Sequence, residues 1–162
     1  MNTSNANKGF ELKIKRIFEA PPQVIFDAWT NPQNLTQWFA PDPGMTVEID
    51  KLELKEGGKY QFKMIEHDTE TYIVVGEYLT ISPPKQLIFT WKWVQGDDRT
   101  EMLVTLDFKN VNGNTELSLL HEKLPDEYAK DHHNQGWVAI FDRLSHIIKT
   151  SSLLDSNHPN VN

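Results

Sequence analysis

The sequence predicts an α+β fold: a seven-stranded curved antiparallel sheet wrapped around a long C-terminal helix, with two short helices after the first strand. Three observations predict it. Apolar and polar residues alternate in seven separate stretches, and alternation with period two marks a half-buried strand. Only one long stretch, His133 to Ile148, repeats its apolar residues every three or four positions, as a helix covering a sheet must. Short turn signals join the later strands, so neighbours pair antiparallel and bury one face. Seven twisted strands then curl.

The first strand is FELKIKRIFEA, where Phe10, Leu12, Ile14 and Phe18 share a face with Arg16. In PPQVIFDAWTNPQNLTQWF the period changes to helical: Val24 and Ala28, then Ile25 and Trp29, lie one turn apart behind a proline pair. Asn31-Pro32 divides this segment into two short helices, because the residue before proline is driven out of the helical region. The second helix carries Leu35, Trp38 and Phe39, and APDPG is a loop. TVEIDKLEL runs to the Gly57-Gly58 turn, and KYQFKMIE aligns Tyr60, Phe62 and Met64. TYIVVGEYLTI stops at Ser82-Pro83-Pro84. KQLIFTWKWV aligns Leu87, Phe89, Trp91 and Trp93; EMLVTLDF aligns Met102, Val104, Leu106 and Phe108; TELSLLHEKL aligns Leu117, Leu119 and His121. After Pro125 comes the long helix with His133, Trp137, Ile140, Leu144 and Ile147/Ile148 on one face. Gly136 on that face costs about 1 kcal/mol of helix propensity, which implies something large against the backbone there.

The 162 residues suffice for one domain burying roughly 70% of the surface its unfolded chain exposes. The domain is expected over residues 10–150, between a disordered N-terminus (1–9) and a disordered C-terminal tail (151–162), both polar and poor in large apolar residues. The chain has no cysteine, which excludes disulfides, thiolate nucleophiles and cysteine-bound zinc. It carries no leader pattern and no run of the ~18 apolar residues a membrane span needs, so a cytoplasmic protein without membrane insertion is expected. A net charge of −7 and scattered basic residues exclude a nucleic-acid partner. Oligomeric state leaves no sequence signal.

LLHEKLPDEYAKDHHNQGWVAIFDRLSHIIK concentrates the chain's histidines. His132 and His133 are ~100° apart on a helix; His133 is in phase with Trp137 and faces in, and His132 faces out. His121 shares the inner strand face of Leu117 and Leu119. Two inward histidines do not make the three or four ligands zinc requires, and no H-E-x-x-H spacing is present. No metal and no cofactor are therefore expected. Arg16 sits on an apolar strand face, where a guanidinium needs a partner; Glu53 is one candidate, release of the head to water the alternative, and anchoring a ligand's carbonyl or carboxylate the functional option. No catalytic residue is assigned; His121 and His133 are the candidates for proton transfer, with no orienting carboxylate beside them.

Several strings carry a resemblance: RIFEAPPQVIFDAWTNPQNLTQWFAP, LKEGGKYQF, VGEYLTISPPKQLIFTW, and LLHEKLP leading into HHNQGW. In these the chain resembles the helix-grip superfamily called SRPBCC, which includes the START-like lipid-transfer domains, and within it the AHSA-type homologues of the activator of heat shock protein 90 ATPase. The resemblance implies a sheet gripping a long helix around a hydrophobic cavity, with small apolar molecules as cargo. Its name comes from a eukaryotic co-chaperone of the stress response, in which such a domain is part of a longer chain. The expected cavity lining is Phe62, Met64, Phe89, Trp91, Val104, Leu106, Leu119 and His121 on the sheet, opposite His133, Trp137, Ile140 and Phe141, with Arg16 at one wall. Three functions follow: a module binding a small hydrophobic molecule, an enzyme acting on a cyclic or aromatic substrate in the same cavity, and a co-chaperone-like domain that stimulates a chaperone ATPase.

Overall fold

The computed structural model describes residues 9–66, 70–96 and 99–150. The elements follow the expected order: β1 (Phe10–Phe18), α1 (Pro22–Thr30), α2 (Pro32–Trp38), β2 (Met45–Leu52), β3 (Lys59–Glu66), β4 (Glu70–Ser82), β5 (Gln86–Trp93), β6 (Met102–Val111), β7 (Asn114–Leu124) and α3 (Glu127–Lys149). All seven strands form one antiparallel sheet in the order β1-β7-β6-β5-β4-β3-β2. The meander from β2 to β7 follows from its short turns. The excursion through α1 and α2 frees β1 to pair with β7 at the opposite edge, with Ile14 facing Leu119 and Arg16 facing Leu117. The expected disorder of residues 1–9 and 151–162 falls, Gly9 apart, outside the described residues.

Asn31 shows how the Asn31-Pro32 step divides the helical segment. Its backbone N–H closes α1 on the Asp27 carbonyl, while its side-chain oxygen accepts from Gln33 N at 2.9 Å and Asn34 N at 3.4 Å to open α2. One residue thus satisfies orphan groups of two helices. Asp126 opens α3 in the same way, accepting from Ala129 N at 2.8 Å.

The inner face of the sheet buries alternate residues, Met102, Val104, Leu106 and Phe108 on β6 and Leu117, Leu119 and His121 on β7. The C-terminal half of α3 seals one half of this face with Phe141, Leu144 and Ile148, joined by Phe18, Trp29 and Trp38. Trp29 stands at the centre of an aromatic cluster, 4.8 Å from Trp38, 5.8 Å from Phe39 and 6.1 Å from Phe141 between ring centroids. That half of the interior is solid. The half beneath the start of α3 is not.

Candidate functional site

Between the first turns of α3 and the far end of the sheet lies a cavity of about 370 Å³, open to solvent on one side. Trp91 and Trp93 of β5 form its floor with Met64 of β3. Tyr72 of β4, Met45 of β2 and Pro41 of the loop after α2 close its flank. His132, His133, Gly136, Trp137 and Ile140 of α3 make its roof. The volume is within the range of small-molecule sites, and the wall is of the usual kind, aromatic and aliphatic with few polar groups.

Two of the three indoles at the wall are engaged by imidazoles, whereas Trp91 Nε1 is buried without a hydrogen-bond partner among the described residues. Trp137 Nε1–H donates to His121 Nδ1 at 3.0 Å, which places the His121 proton on Nε2, 3.4 Å from Met102 Sδ. Trp93 Nε1–H donates to His133 Nε2 at 3.0 Å, so His133 Nδ1–H donates to the Ala129 carbonyl at 2.7 Å. The two imidazoles meet with ring centroids 4.9 Å apart. Burial, and then the neighbouring His133, push His121 down to about 3. His133 is lowered chiefly by burial, against the hydrogen bond to Ala129. An indole N–H can only donate, so each imidazole has its one lone pair occupied. A general base needs that lone pair free. Nothing in this pair favours proton transfer, and among the described residues no group of three or more potential ligands could hold a metal.

Tyr72 donates to Glu70 Oε1 at 2.5 Å; that bond, more than burial, raises its phenol to about 12. Arg143 of α3 donates to the Asp42 carbonyl at 3.2 Å and the Gln37 carbonyl at 3.1 Å, holding the loop that carries Pro41.

Of the residues the sequence placed at the cavity, Met64, Trp91, His133, Trp137 and Ile140 line it. Phe62 and Phe89 instead border a void of about 10 Å³, room for roughly one water, because Phe39, the residue that follows α2, packs 5.4 Å from Phe62 and 6.1 Å from Trp91 and fills that part of the concave face. Val104, Leu106, Leu119 and Phe141 lie in the solid core, and His121 stands behind Trp137 rather than at the surface of the cavity. Arg16 lies at the edge of α3, where it pairs with Asp142 and passes over the Phe18 ring; it is remote from Glu53, whose carboxylate accepts from Lys59 N at the β2–β3 turn. His132 is exposed as expected, stacked on Tyr128 at 4.6 Å, and yet borders the mouth.

Trp93, Tyr72, Met45, Pro41 and Gly136 were missed. The phase of Tyr72 with buried Val74 and Tyr78 is a signal that points inward. The expectation of a large group against Gly136 is reversed: a Cβ there meets no atom within 4 Å.

The family described as Activator of Hsp90 ATPase homolog 1-like protein matches residues 19–149. The human protein named Activator of 90 kDa heat shock protein ATPase homolog 1 is 29% identical over 134 residues, covering 81% of this chain and 34% of its own. The chain thus spans about a third of the length of the curated relatives it matches. The solved structure of the AHSA1 protein from Silicibacter pomeroyi is 27% identical with a TM-score of 0.76, covering 88% of this chain and 99% of that one. A Chromobacterium violaceum protein shares the fold at a TM-score of 0.79 and 20% identity, over 85% of this chain and 95% of its own. With the matched segment running from the end of β1 through all of α3, the chain belongs to the family of activator of Hsp90 ATPase homologue 1-like proteins.

Proposed function

We propose that this domain binds a small, uncharged, hydrophobic molecule in the cavity beneath the first half of α3. The observation that carries the reading is the cavity itself: about 370 Å³ walled by Trp91, Trp93, Trp137, Met45, Met64 and Ile140. Apolar surface left open to water in this way is stabilised on filling by about 25 cal/mol per Å². Among the described residues no Lys or Arg lines the wall, so a carboxylate there would be desolvated without a cationic partner from them, at a cost of several kcal/mol. Burial lowers His133, the half-buried imidazole of the wall, and disfavours its charged form as a countercharge.

Titration with Nile red, a neutral probe, tests this. Probe emission should shift to the blue and the fluorescence of Trp91, Trp93 and Trp137 should be quenched, in one saturable step that an alkane carboxylate of similar size competes for poorly. A wild-type protein that binds no neutral apolar probe overturns the reading.

A second reading has its own support. The curated relatives are named as activators of a heat shock protein ATPase, and this domain aligns with about a third of them. It acts, on that reading, as a co-chaperone-like interaction domain. Stimulation of a 90 kDa heat shock protein's ATPase by the purified chain, unchanged when Nile red fills the cavity, would favour it over cargo binding.

A further inference from the structure

We propose that Gly136 sets the size of the molecule the cavity accepts: the ligand's apolar ring body takes the volume its missing side chain leaves and lies against bare helix backbone between His132 and Ile140. This rests on the cavity reading above and deepens it by naming the residue that selects the ligand.

Glycine inside a helix is unfavourable, because it orders the most flexible backbone and packs nothing. Three structural reasons commonly justify it, and none applies here. Gly136 is not among the glycines with positive φ. It lies well inside α3, away from either end. No neighbouring atom presses on it, since a Cβ there meets nothing within 4 Å. Gly58 and Gly76 show the contrast: a Cβ at the first would collide with the Glu53 carbonyl, and at the second with the Thr90 carbonyl and the Tyr60 ring. Their glycines are accounted for by packing within the chain. Among the described residues nothing accounts for Gly136; a molecule entering from outside does.

Its position supports this. His132 and Ile140 lie one turn to either side on the same ridge, and His133 and Trp137 fill the adjacent one; all four line the cavity. A side chain at 136 therefore grows into the space facing Trp91 and Trp93. A flat ring system suits that gap, with an aromatic floor on one side and a smooth backbone on the other.

The experiment compares wild type with Gly136→Ala, Gly136→Leu and Gln135→Leu, the last adding an apolar side chain at an exposed neighbour outside the wall. Naphthalene, pyrene and Nile red are the probes, and circular dichroism and melting temperature report the fold. Gly136→Leu should weaken pyrene and Nile red by about tenfold or more, as expected when side-chain carbons occupy a hydrophobic pocket. It should cost naphthalene less, and Gly136→Ala should melt no lower than wild type while shifting preference toward naphthalene. Gln135→Leu should bind as wild type does. Folded Gly136→Leu that binds pyrene within about twofold of wild type overturns the inference and leaves the cavity reading standing. If Gly136→Leu does not fold, Gly136→Ala decides, and unchanged selectivity between naphthalene and pyrene overturns it. A uniform loss across all three probes also overturns it, since that reports damage rather than size selection. Wild type that binds no probe removes both readings together.

Discussion

His121 and His133 touch ring to ring inside a wall of tryptophan, each accepting an indole N–H. Their chemistry is that of neutral acceptors, and this carries a pH consequence. Both are lowered from the ordinary 6.5, His121 to about 3. The unfolded chain therefore binds protons below about 6.5 that the folded chain refuses. The stability tied to His121 is complete above that pH and falls as the pH drops toward about 3, by up to about 1.4 kcal/mol per unit, and His133 adds a loss in the same direction. Urea unfolding between pH 3 and 7 should show this slope. His121→Asn keeps an acceptor for Trp137 Nε1 and removes one titration, so its slope should be shallower even if its absolute stability is lower. A slope identical to wild type would place the acid sensitivity elsewhere.

At the scale of elements, short polar and glycine residues determine how strands and helices meet. Asp126 supplies the side-chain cap of α3, and the roof of the cavity begins at His132, less than two turns later. Asp126→Ala should cost about 1 kcal/mol, measured as a drop in urea midpoint, and should weaken probe binding as the first turn frays. Gly76 has a different task. The Tyr60 ring crosses it to donate to the Thr90 carbonyl at 2.5 Å, tying β3 to β5 across the inner face of β4. Gly76→Ala drives a Cβ into the Thr90 carbonyl as well as the ring and should cost about 2–3 kcal/mol by overpacking. Wild-type stability in that variant would mean that the β4 and β5 backbones, and not only the tyrosine, move apart without cost. Arg16–Asp142 and the two Arg143 bonds anchor consecutive positions of α3 to β1 and to the loop after α2. Being partly exposed, the ion pair contributes little to stability; its geometry orients the helix.

Over the whole molecule, one half of the interior is packed and the other half is hollow. Phe18, Trp29, Trp38, Phe141 and Leu144 fill the space beneath the C-terminal half of α3, whereas the N-terminal half bridges the cavity. Local opening follows packing. Backbone amides of His132–Ile140 should therefore exchange with deuterium faster than those of Leu144–Ile148. Saturation with Nile red should slow the first group selectively, and at a free probe concentration 100 times Kd it should add about 2.7 kcal/mol to global stability. Equal protection in both halves of the helix without probe would contradict the division.

Strand phases, helix phases and the break at Asn31-Pro32 could be read from the residues because they are local: side-chain direction has a period of 2.0 or 3.6, and proline acts on its immediate neighbour. So could the order of elements, the inward turn of His121 and His133, and the resemblance that goes with them. What alternation cannot express is volume. That Phe39 would fill the space before Phe62 and Phe89, that Arg16 would find Asp142, 126 residues away, and that none of the described residues would press on Gly136 all depend on how distant elements settle against one another. Those outcomes are set by packing in three dimensions, which reads the size of a side chain and not only its face, and so the hollow under α3 was decided by the tertiary structure alone.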